Sequence, residues 1–551
     1  MIESQQLRRS TRAALTSLCC AGLTLLWGCG DDGPDGGGPA LGCEGGPLVS
    51  LAPGAATILD LAQTGCLRLP AAAAGSEHLV AVLSTAGAQL SFGVAAPYRL
   101  LADASPAALR MPERRALAAP DRGAEFHAML RGRERDAARR RSWAPPPRAR
   151  LRVPPAVGER RRFSVCADLG CSGVVPVDAV ARVVGRHAAI YLDESVPPGG
   201  LVQADLDTLG LLFDDELYPI DTTAFGRESD IDGNGVVIIL LTDAVNQLIP
   251  GCADGYVLGY FVGLDLLPSE PGSNAGEVFY SRVPDPSLPA CEASRDQVVR
   301  FMLPTFIHEF QHMISFNQHV LLRAGDVEHV WLNEALSHFA EELGSRLVTG
   351  PGALGNAANR ETQFVGANIN NAFDYLADPE SHFLVLPGTS FGSLPERGAG
   401  WLFVRWLADH YGDGSVPATT LTRALVATTA RGAANVEAAA GVGFPELVSH
   451  WQLANYLDDL PGFTAAEPRL AYRSVNLRRT FANLFPVYPL RPDSVGAQGL
   501  DRTGTLRAGS GRHVRVVQPA GGGEAVVDLA APDGTPINAL AAARVAVTRI
   551  R

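Results

Sequence analysis

Apolar residues follow two different spacings along the chain. Short apolar runs near the N-terminus predict β-strands, a long middle section has the spacing of helices, and strand-like runs return after Pro461. Strands are predicted at 79–83, 90–94, 188–192, 236–241, 513–517 and 525–529, and helices at 201–218, 305–316, 331–349, 400–411, 418–430 and 444–460. This order predicts an α+β fold with a helix-rich centre.

One predicted helix contains the sequence HEFQH at positions 308–312. A helix advances about 3.6 residues per turn, so His308 and His312 lie on one face and can bind one metal ion, with Glu309 at its edge. The rest of 301–316 is mostly apolar, which predicts a buried helix whose ionisable groups need partners. The alternative is a helix that carries two unrelated surface histidines.

A second helix supplies a residue that completes such a site. A catalytic zinc site has three protein ligands and a water molecule. The sequence WLNEALSHFAEE at 331–342 predicts an amphipathic helix that ends before Gly350, and its Glu334 is the best third ligand. The alternative is an ordinary acidic helix. In the first helix, Pro304 lacks an amide proton and is expected to kink or restart the helix.

HEFQH followed by WLNEALSHFAEE resembles the gluzincin zinc metallopeptidases, and the surrounding sequence resembles the hyicolysin-type family within them. The resemblance covers about 183–412, with further similar stretches at 230–235, 259–261, 277–280 and 400–412. It implies a peptidase domain with a mixed sheet, an active-site helix and a helical lower subdomain, flanked by small β domains. It also implies Zn²⁺ ligands and a general base in the HExxH-plus-glutamate arrangement: His308, His312 and Glu334, with Glu309 as the base.

The sequence departs from the thermolysin-like gluzincins at two points. Those proteins have an aspartate four residues after the glutamate ligand, where it holds a histidine ligand, and here that position is His338. Glu341, on the same helical face as Glu334, is expected to take this role, with Glu342 or a backbone carbonyl as alternatives. The hydrogen-bond donor to the oxyanion has no marker either. Its candidates are Tyr375, His382 and Tyr411.

Charge is unevenly distributed along the chain. The net charge is -12, yet 110–162 contains sixteen Arg and six acidic residues, so the remainder carries -22. An acidic remainder argues against a nucleic-acid enzyme. Within the basic segment, Phe126, Met129 and Leu130 predict one helix, which we expect to be solvated. The alternatives are a pro-segment that covers the acidic cleft and a patch that rests on anionic lipid.

The first residues have the plan of a secretory signal peptide over 1–28. Three arginines precede an apolar run at 13–27 that is too short for a comfortable membrane span. LWGC at 26–29 resembles a bacterial lipobox, so Cys29 is expected to carry lipid and 29–42 to be a flexible tether. The alternative is a secreted protein without an anchor. Both place the mature chain in the cell envelope, at the outer membrane, or in the medium.

Cysteine content agrees with an exported protein. Six cysteines remain after the predicted signal and Cys29, and pairing between sequence neighbours is the simplest of fifteen connectivities. The six are Cys43, Cys66, Cys166, Cys171, Cys252 and Cys291.

A short acidic segment resembles the opening of a calcium-binding loop. Asp230, Asp232 and Asn234 have the right spacing, but the twelfth position is Leu241, which excludes an EF-hand. A tight turn into the next strand is expected, with a structural Ca²⁺ as the alternative.

These features predict an exported, monomeric zinc metalloendopeptidase that acts on peptides or proteins. The main alternative is an inactive binding lipoprotein on a peptidase scaffold. The predicted order after the tether is an N-terminal β domain (43–100), an Arg/Pro-rich helix and linker (101–162), a β segment (163–182), the peptidase domain (183–460) and a C-terminal β module (461–551).

Overall fold

The structure is a computed structural model that describes most of the chain after residue 42. The described residues are 43, 45–60, 65–103, 122–140, 153–197, 200–249, 252, 255–287, 291, 293–349, 360–390, 392–413, 419–495 and 499–551. The predicted signal peptide, Cys29 and the tether at 29–42 lie outside these residues, as do 104–121 and 141–152 on either side of the basic helix.

Strands lie at both ends of the described chain, and helices dominate its centre, which confirms the α+β class. The strands are β1 (Ala56–Asp60), β2 (Cys66–Leu69), β3 (Ser76–Ser84), β4 (Ala95–Asp103), β5 (Arg160–Cys166), β6 (Val174–Val184), β7 (Ala188–Asp193), β8 (Val237–Leu241), β9 (Gly259–Phe261), β10 (Val278–Ser281), β11 (Asp493–Val495), β12 (Leu500–Arg507), β13 (Gly511–Gln518), β14 (Ala525–Ala530) and β15 (Ala543–Arg549). The strand predicted at 90–94 is instead a turn, in which Gly93 has φ 75°.

The helices include all six that the apolar spacing predicts. They are α1 (Arg122–Arg140), α2 (Gln203–Leu212), α3 (Tyr218–Phe225), α4 (Asp243–Asn246), α5 (Arg295–Phe316), α6 (Val330–Thr349), α7 (Arg360–Ala377), α8 (Leu394–Tyr411), α9 (Thr419–Val426), α10 (Gly432–Ala440), α11 (Phe444–Leu457) and α12 (Leu477–Leu484).

A six-stranded mixed sheet lies beside the HEFQH helix. Its order is β5-β6-β7-β8-β10-β9, with β7, β8 and β10 parallel and β9 antiparallel to β10. β8 has the sequence VIILL with every residue buried, as expected for a central parallel strand. The separate β segment predicted at 163–182 is wrong, because β5 and β6 extend this same sheet. β9 is an edge strand, and α5 packs beside it.

The helix α5 runs through Pro304 without interruption, so the predicted restart is wrong. Proline removes the hydrogen bond to the carbonyl four residues earlier, which belongs to Arg300. In the structure the side-chain amide of Gln363 donates to that carbonyl. The helix α7 therefore replaces the missing backbone bond with a side-chain bond.

Strands from the two ends of the chain form one pair of sheets. Their orders are β1-β15-β3-β13-β11 and β12-β4-β14-β2, so every N-terminal strand pairs with at least one C-terminal strand. The separate β domains predicted at 43–100 and 461–551 are therefore wrong. Periodicity identifies strands, but it does not say which strands pair.

The strand β3 belongs to two cores. All nine of its residues are buried. Val80 and Val82 lie in the core between the two sheets, whereas Leu79, Ala81 and Leu83 lie in the large core that also contains residues of α5, α6 and α8. Successive residues of a strand point to opposite faces, so one strand can serve both cores.

The basic helix α1 lies where the sequence predicts a helix, but its apolar face is not solvated. Phe126 is 1% exposed and Leu130 is fully buried, and the charged Arg131 and Glu134 are buried with them. The expectation of a solvated helix is wrong, because this face packs against the mixed sheet, including Tyr260 of β9.

Three disulfides join cysteines that are neighbours in sequence, as predicted. They are Cys43–Cys66, Cys166–Cys171 and Cys252–Cys291. No helix within the described ranges has both the length and the apolar character that a membrane crossing requires.

Candidate metal centre

Two helices bring the three predicted ligands together. His308 and His312 lie one turn apart on α5, and Glu334 lies in the first turns of α6. The two Nε2 atoms are 3.1 Å apart, and each is 3.6 Å from an oxygen of Glu334. We call these three residues the metal cluster.

The cluster has the donor atoms and spacing of a zinc site. Two Zn–N bonds of about 2.0 Å at tetrahedral angles place their nitrogens roughly 3.3 Å apart, close to the observed spacing. Both carboxylate oxygens of Glu334 are buried without a hydrogen-bond partner among the described residues. A buried carboxylate without hydrogen bonds is costly, and a divalent cation is a suitable partner for it.

The other ring nitrogen of His308 is held by Glu341. Glu341 Oε1 lies 2.7 Å from His308 Nδ1, and Asn368 of α7 donates to Glu341 Oε2 at 3.0 Å. A carboxylate only accepts, so Nδ1 keeps its proton, and a metal ion bound at Nε2 would take the place of the second ring proton. His338 Nδ1 also lies 3.0 Å from Glu341 Oε1. Of the two glutamates considered from the sequence, Glu341 is the one that contacts the histidine.

His312 has a partner that sequence reasoning missed. Asn333 Oδ1 lies 3.1 Å from His312 Nδ1, and Ser337 Oγ lies 3.1 Å from the same nitrogen. A side-chain carbonyl accepts, so this contact again leaves Nε2 free. The sequence did contain a signal for this contact, because Asn333 directly precedes the predicted ligand Glu334. One turn of α6 therefore carries both a ligand and the residue that orients His312.

Glu309 is buried beside the metal cluster and next to the edge strand. It is 2% exposed, and its Oε2 accepts a hydrogen bond from the Phe261 amide of β9 at 2.7 Å. Burial raises its pKa to about 7, against the smaller opposing effects of His308 and Arg131. Such a carboxyl exchanges its proton near neutral pH.

The charges within the cluster favour an ionised Glu334. Burial opposes this charge, but nearby Arg397 and the two histidines hold the pKa of Glu334 well below its usual range. Arg397, on α8, lies 3.8 Å from Glu334. Burial also opposes a charge on His308, yet Glu334 and Glu341 outweigh it and raise the pKa of His308 to about 10. No sequence signal marked Arg397.

The three oxyanion candidates lie in other surroundings. The Tyr375 hydroxyl is 3.2 Å from Ser510 Oγ and accepts from Gln452, which places it against the turn between β12 and β13 and against α11. The Tyr411 ring packs on Trp406 of its own helix, and the His382 amide donates to a carbonyl in the preceding turn. No contact within the described residues joins these three side chains to the metal cluster.

The calcium candidate forms the expected tight turn. Asp230 Oδ1 accepts from the Gly235 amide, and Asp232 accepts from both the backbone and the side-chain amide of Asn234. Glu277, which the sequence did not suggest, brings a third carboxylate within 4.8 Å of the two aspartates. Asn234 is thus a hydrogen-bond donor to the turn.

An HExxH helix with a glutamate from a second helix has the residue types and arrangement that hydrolytic zinc centres use. The chain is 33% identical over 136 residues to the neutral metalloprotease ShpI of Staphylococcus hyicus, which covers 24% of this chain and 30% of that protein. The chain thus matches less than a third of this relative's length. No protein-family model matches the chain.

One solved structure aligns with about half of the chain. It is a mutant M1 zinc metallopeptidase from Deinococcus radiodurans with a bound Tyr-Ser-Ala substrate. The match covers 53% of this chain and 51% of that chain, at 15% identity and a TM-score of 0.28.

Proposed function

We propose that the protein is a zinc metallopeptidase that hydrolyses bonds in peptides or proteins. The observation that carries the proposal is the convergence of His308, His312 and Glu334 beside the buried Glu309. The partial similarity to a neutral metalloprotease supports the same class of reaction.

The metal cluster is the proposed zinc site, with the two Nε2 atoms and the Glu334 carboxylate as ligands. Zinc in such a site lowers the pKa of a water molecule to about 7 and polarises a carbonyl group. Glu341 and Asn333 hold the histidines in the tautomer that leaves Nε2 free. Arg397 keeps the third ligand ionised.

Glu309 is the proposed general base. A carboxyl with a pKa of about 7 is partly ionised at neutral pH, so it can take the proton from the attacking water. The same group then returns the proton to the leaving amine. The Phe261 amide fixes one of its oxygens and so orients the carboxylate.

The backbone of β9 is the proposed substrate-binding edge. An edge strand can accept an extended peptide as an added strand. Because the Phe261 amide donates to Glu309, a peptide along β9 passes the general base. Such pairing needs backbone groups alone and accepts chain on both sides of the cleaved bond, so we propose endopeptidase action.

The proposed location is outside the cytoplasm. Three disulfides are typical of proteins in oxidising compartments, which supports export. Lipid attachment at Cys29 and a monomeric state complete this proposal.

The test combines zinc content with hydrolysis of unfolded casein. Glu309 is only 2% exposed, so a substrate cannot reach it in the intact protein. The purified protein is therefore assayed both before and after brief trypsin digestion. Trypsin is blocked by a serine-protease inhibitor before casein is added. We expect one zinc per chain and cleavage that a zinc chelator abolishes. Zinc binding without cleavage in either sample contradicts the peptidase and supports the inactive binding protein.

A further inference from the structure

The helix α1 lies over the edge strand that a substrate needs. The Arg131 guanidinium donates to the Phe261 carbonyl of β9, and the Gly263 amide donates to Glu134 Oε1 at 2.6 Å. Arg131 and Glu134 also pair with each other at 3.2 Å. These side chains occupy backbone groups with which an added peptide strand pairs.

Apolar contacts fix α1 in this position. Phe126 packs edge-on against Tyr260 of β9, with ring centroids 5.1 Å apart, and Leu130 and Ala137 are buried as well. At the C-terminal end of α1, Arg139 pairs with Asp326 at 3.1 Å and Arg140 with Glu270 at 3.2 Å. Both ion pairs are at the surface, so the buried face supplies most of the attachment.

The same helix closes the approach to the metal cluster. The His127 ring lies 6.4 Å from the His308 ring, and Arg131 and Glu134 line a gap with His312 and Asn333 that has no room for a water molecule. The His312 side chain is fully buried. A peptide substrate therefore reaches neither the cluster nor Glu309 while α1 is in place.

We propose that α1 is an internal inhibitor that occupies the substrate-binding edge and keeps the protein latent until α1 is displaced or cut. This inference rests on the proposed peptidase function and adds to it the segment that regulates access. Arg131 and Glu134 are the residues that take the place of substrate backbone on β9.

The first test follows trypsin cleavage of the zinc-loaded full chain. Arg133, Arg139 and Arg140 have exposed side chains on α1 and are the expected trypsin sites. Loss of α1 is measured by mass spectrometry, and casein hydrolysis is measured after trypsin is blocked. We expect hydrolysis to rise by about tenfold or more as α1 is cut, because activity scales with the fraction of open protein. An intact chain that cleaves casein as fast as the cut chain overturns the proposal.

The second test uses matched double variants of the intact chain. Arg131→Ala with Glu134→Ala removes the contacts to the Phe261 carbonyl of β9 and to the Gly263 amide just after it, and is expected to raise hydrolysis. Arg135→Ala with Asp136→Ala removes one basic and one acidic side chain from α1 that form no hydrogen bond or ion pair with another described residue, and it is expected to leave hydrolysis unchanged. Equal activity in the two variants contradicts the proposal.

A binding measurement separates this inference from the proposed reaction. In a Glu309→Gln background, binding of a fluorescent casein peptide is followed by anisotropy for the intact, cut and double-variant proteins. Tighter binding after α1 is cut or weakened supports internal inhibition. If no sample in the hydrolysis assays cleaves casein, that failure counts against the peptidase function and not against the inhibitor role of α1. Equal binding in all samples overturns the inhibitor role of α1.

Discussion

Glu341 and Glu342 are adjacent on α6, but they serve two different buried groups. Glu341 Oε1 lies 2.7 Å from His308 Nδ1, whereas Glu342 Oε1 accepts from Arg405 Nη1 at 2.9 Å. Successive residues of a helix are separated by about 100° around its axis, so one carboxylate turns to the metal cluster and the other to α8. The two residues therefore form a natural pair for separating metal binding from stability.

Glu341→Gln is expected to weaken zinc binding by about 10- to 100-fold, because it removes the charge that orients His308. Glu342→Gln is expected to leave zinc affinity near the wild-type value and to lower the free energy of unfolding by about 3 kcal/mol, because Arg405 loses a buried partner. Chelator competition measures the first quantity and urea denaturation the second. A loss of zinc affinity in Glu342→Gln, together with a loss of stability alone in Glu341→Gln, would contradict this assignment of the two residues.

Glu309→Gln is expected to retain zinc and to lower casein hydrolysis by about 10²- to 10⁴-fold, the range for loss of a general base. The assay uses protein from which α1 has been cut. Glu446→Gln is the control, because Glu446 lies at the surface and pairs with Arg469. Wild-type hydrolysis in the Glu309 variant removes the proposed role of this residue.

Glu277→Gln is expected to stabilise the protein at high pH. Burial raises the pKa of Glu277 to about 7, and its Oε2 has no hydrogen-bond partner among the described residues. As pH rises from 4.5 to 7 the unfolded chain loses this proton first, so wild-type stability falls. The variant gains about 3 kcal/mol in relative unfolding free energy at pH 8 and nothing at pH 4.

Calcium gives the control for this pH experiment. If the turn at 230–235 needs no ion, added calcium leaves the unfolding free energy of both proteins unchanged. A calcium-dependent rise confined to the wild type shows instead that Asp230, Asp232 and Glu277 bind the ion.

Removal of the Cys252–Cys291 bridge by double Cys→Ala substitution is expected to lower the unfolding free energy by about 4 kcal/mol, from the loop-closure entropy of its 39-residue separation. Removal of Cys166–Cys171, with a separation of 5, is the control, with an expected loss of about 2 kcal/mol. Guanidinium denaturation under non-reducing conditions measures both. Equal losses contradict the loop-entropy account.

Local patterns predicted individual elements well. The helical spacing at 305–316 and 331–349 corresponds to α5 and α6, and the apolar run at 236–241 corresponds to β8. Hydrogen bonds and side-chain faces within one element depend on neighbours three or four residues away in sequence. The expected break at Pro304 was wrong, and the local sequence did not show why. The Arg300 carbonyl that Pro304 leaves unpaired accepts from Gln363 of α7, which lies sixty-three residues after Arg300.

Long-range pairing could not be predicted from the same patterns. The apolar pattern predicts strands at 43–100 and 461–551, but the same pattern fits two separate domains and one pair of sheets. Helical spacing favoured Glu341 as the residue that orients His308, with Glu342 or a backbone carbonyl as alternatives. The position of α8 decides that Arg405 pairs with Glu342.

The sequence by itself determined that His308 and His312 share one helical face with Glu309 at its edge, and that Glu334 follows on another helix. Tertiary structure alone decided that β9 lies beside Glu309, that Arg397 reaches Glu334, and that α1 covers the edge strand. The physical reason is range: helical periodicity fixes directions within a few residues, whereas contacts between distant segments depend on how all the apolar faces pack together.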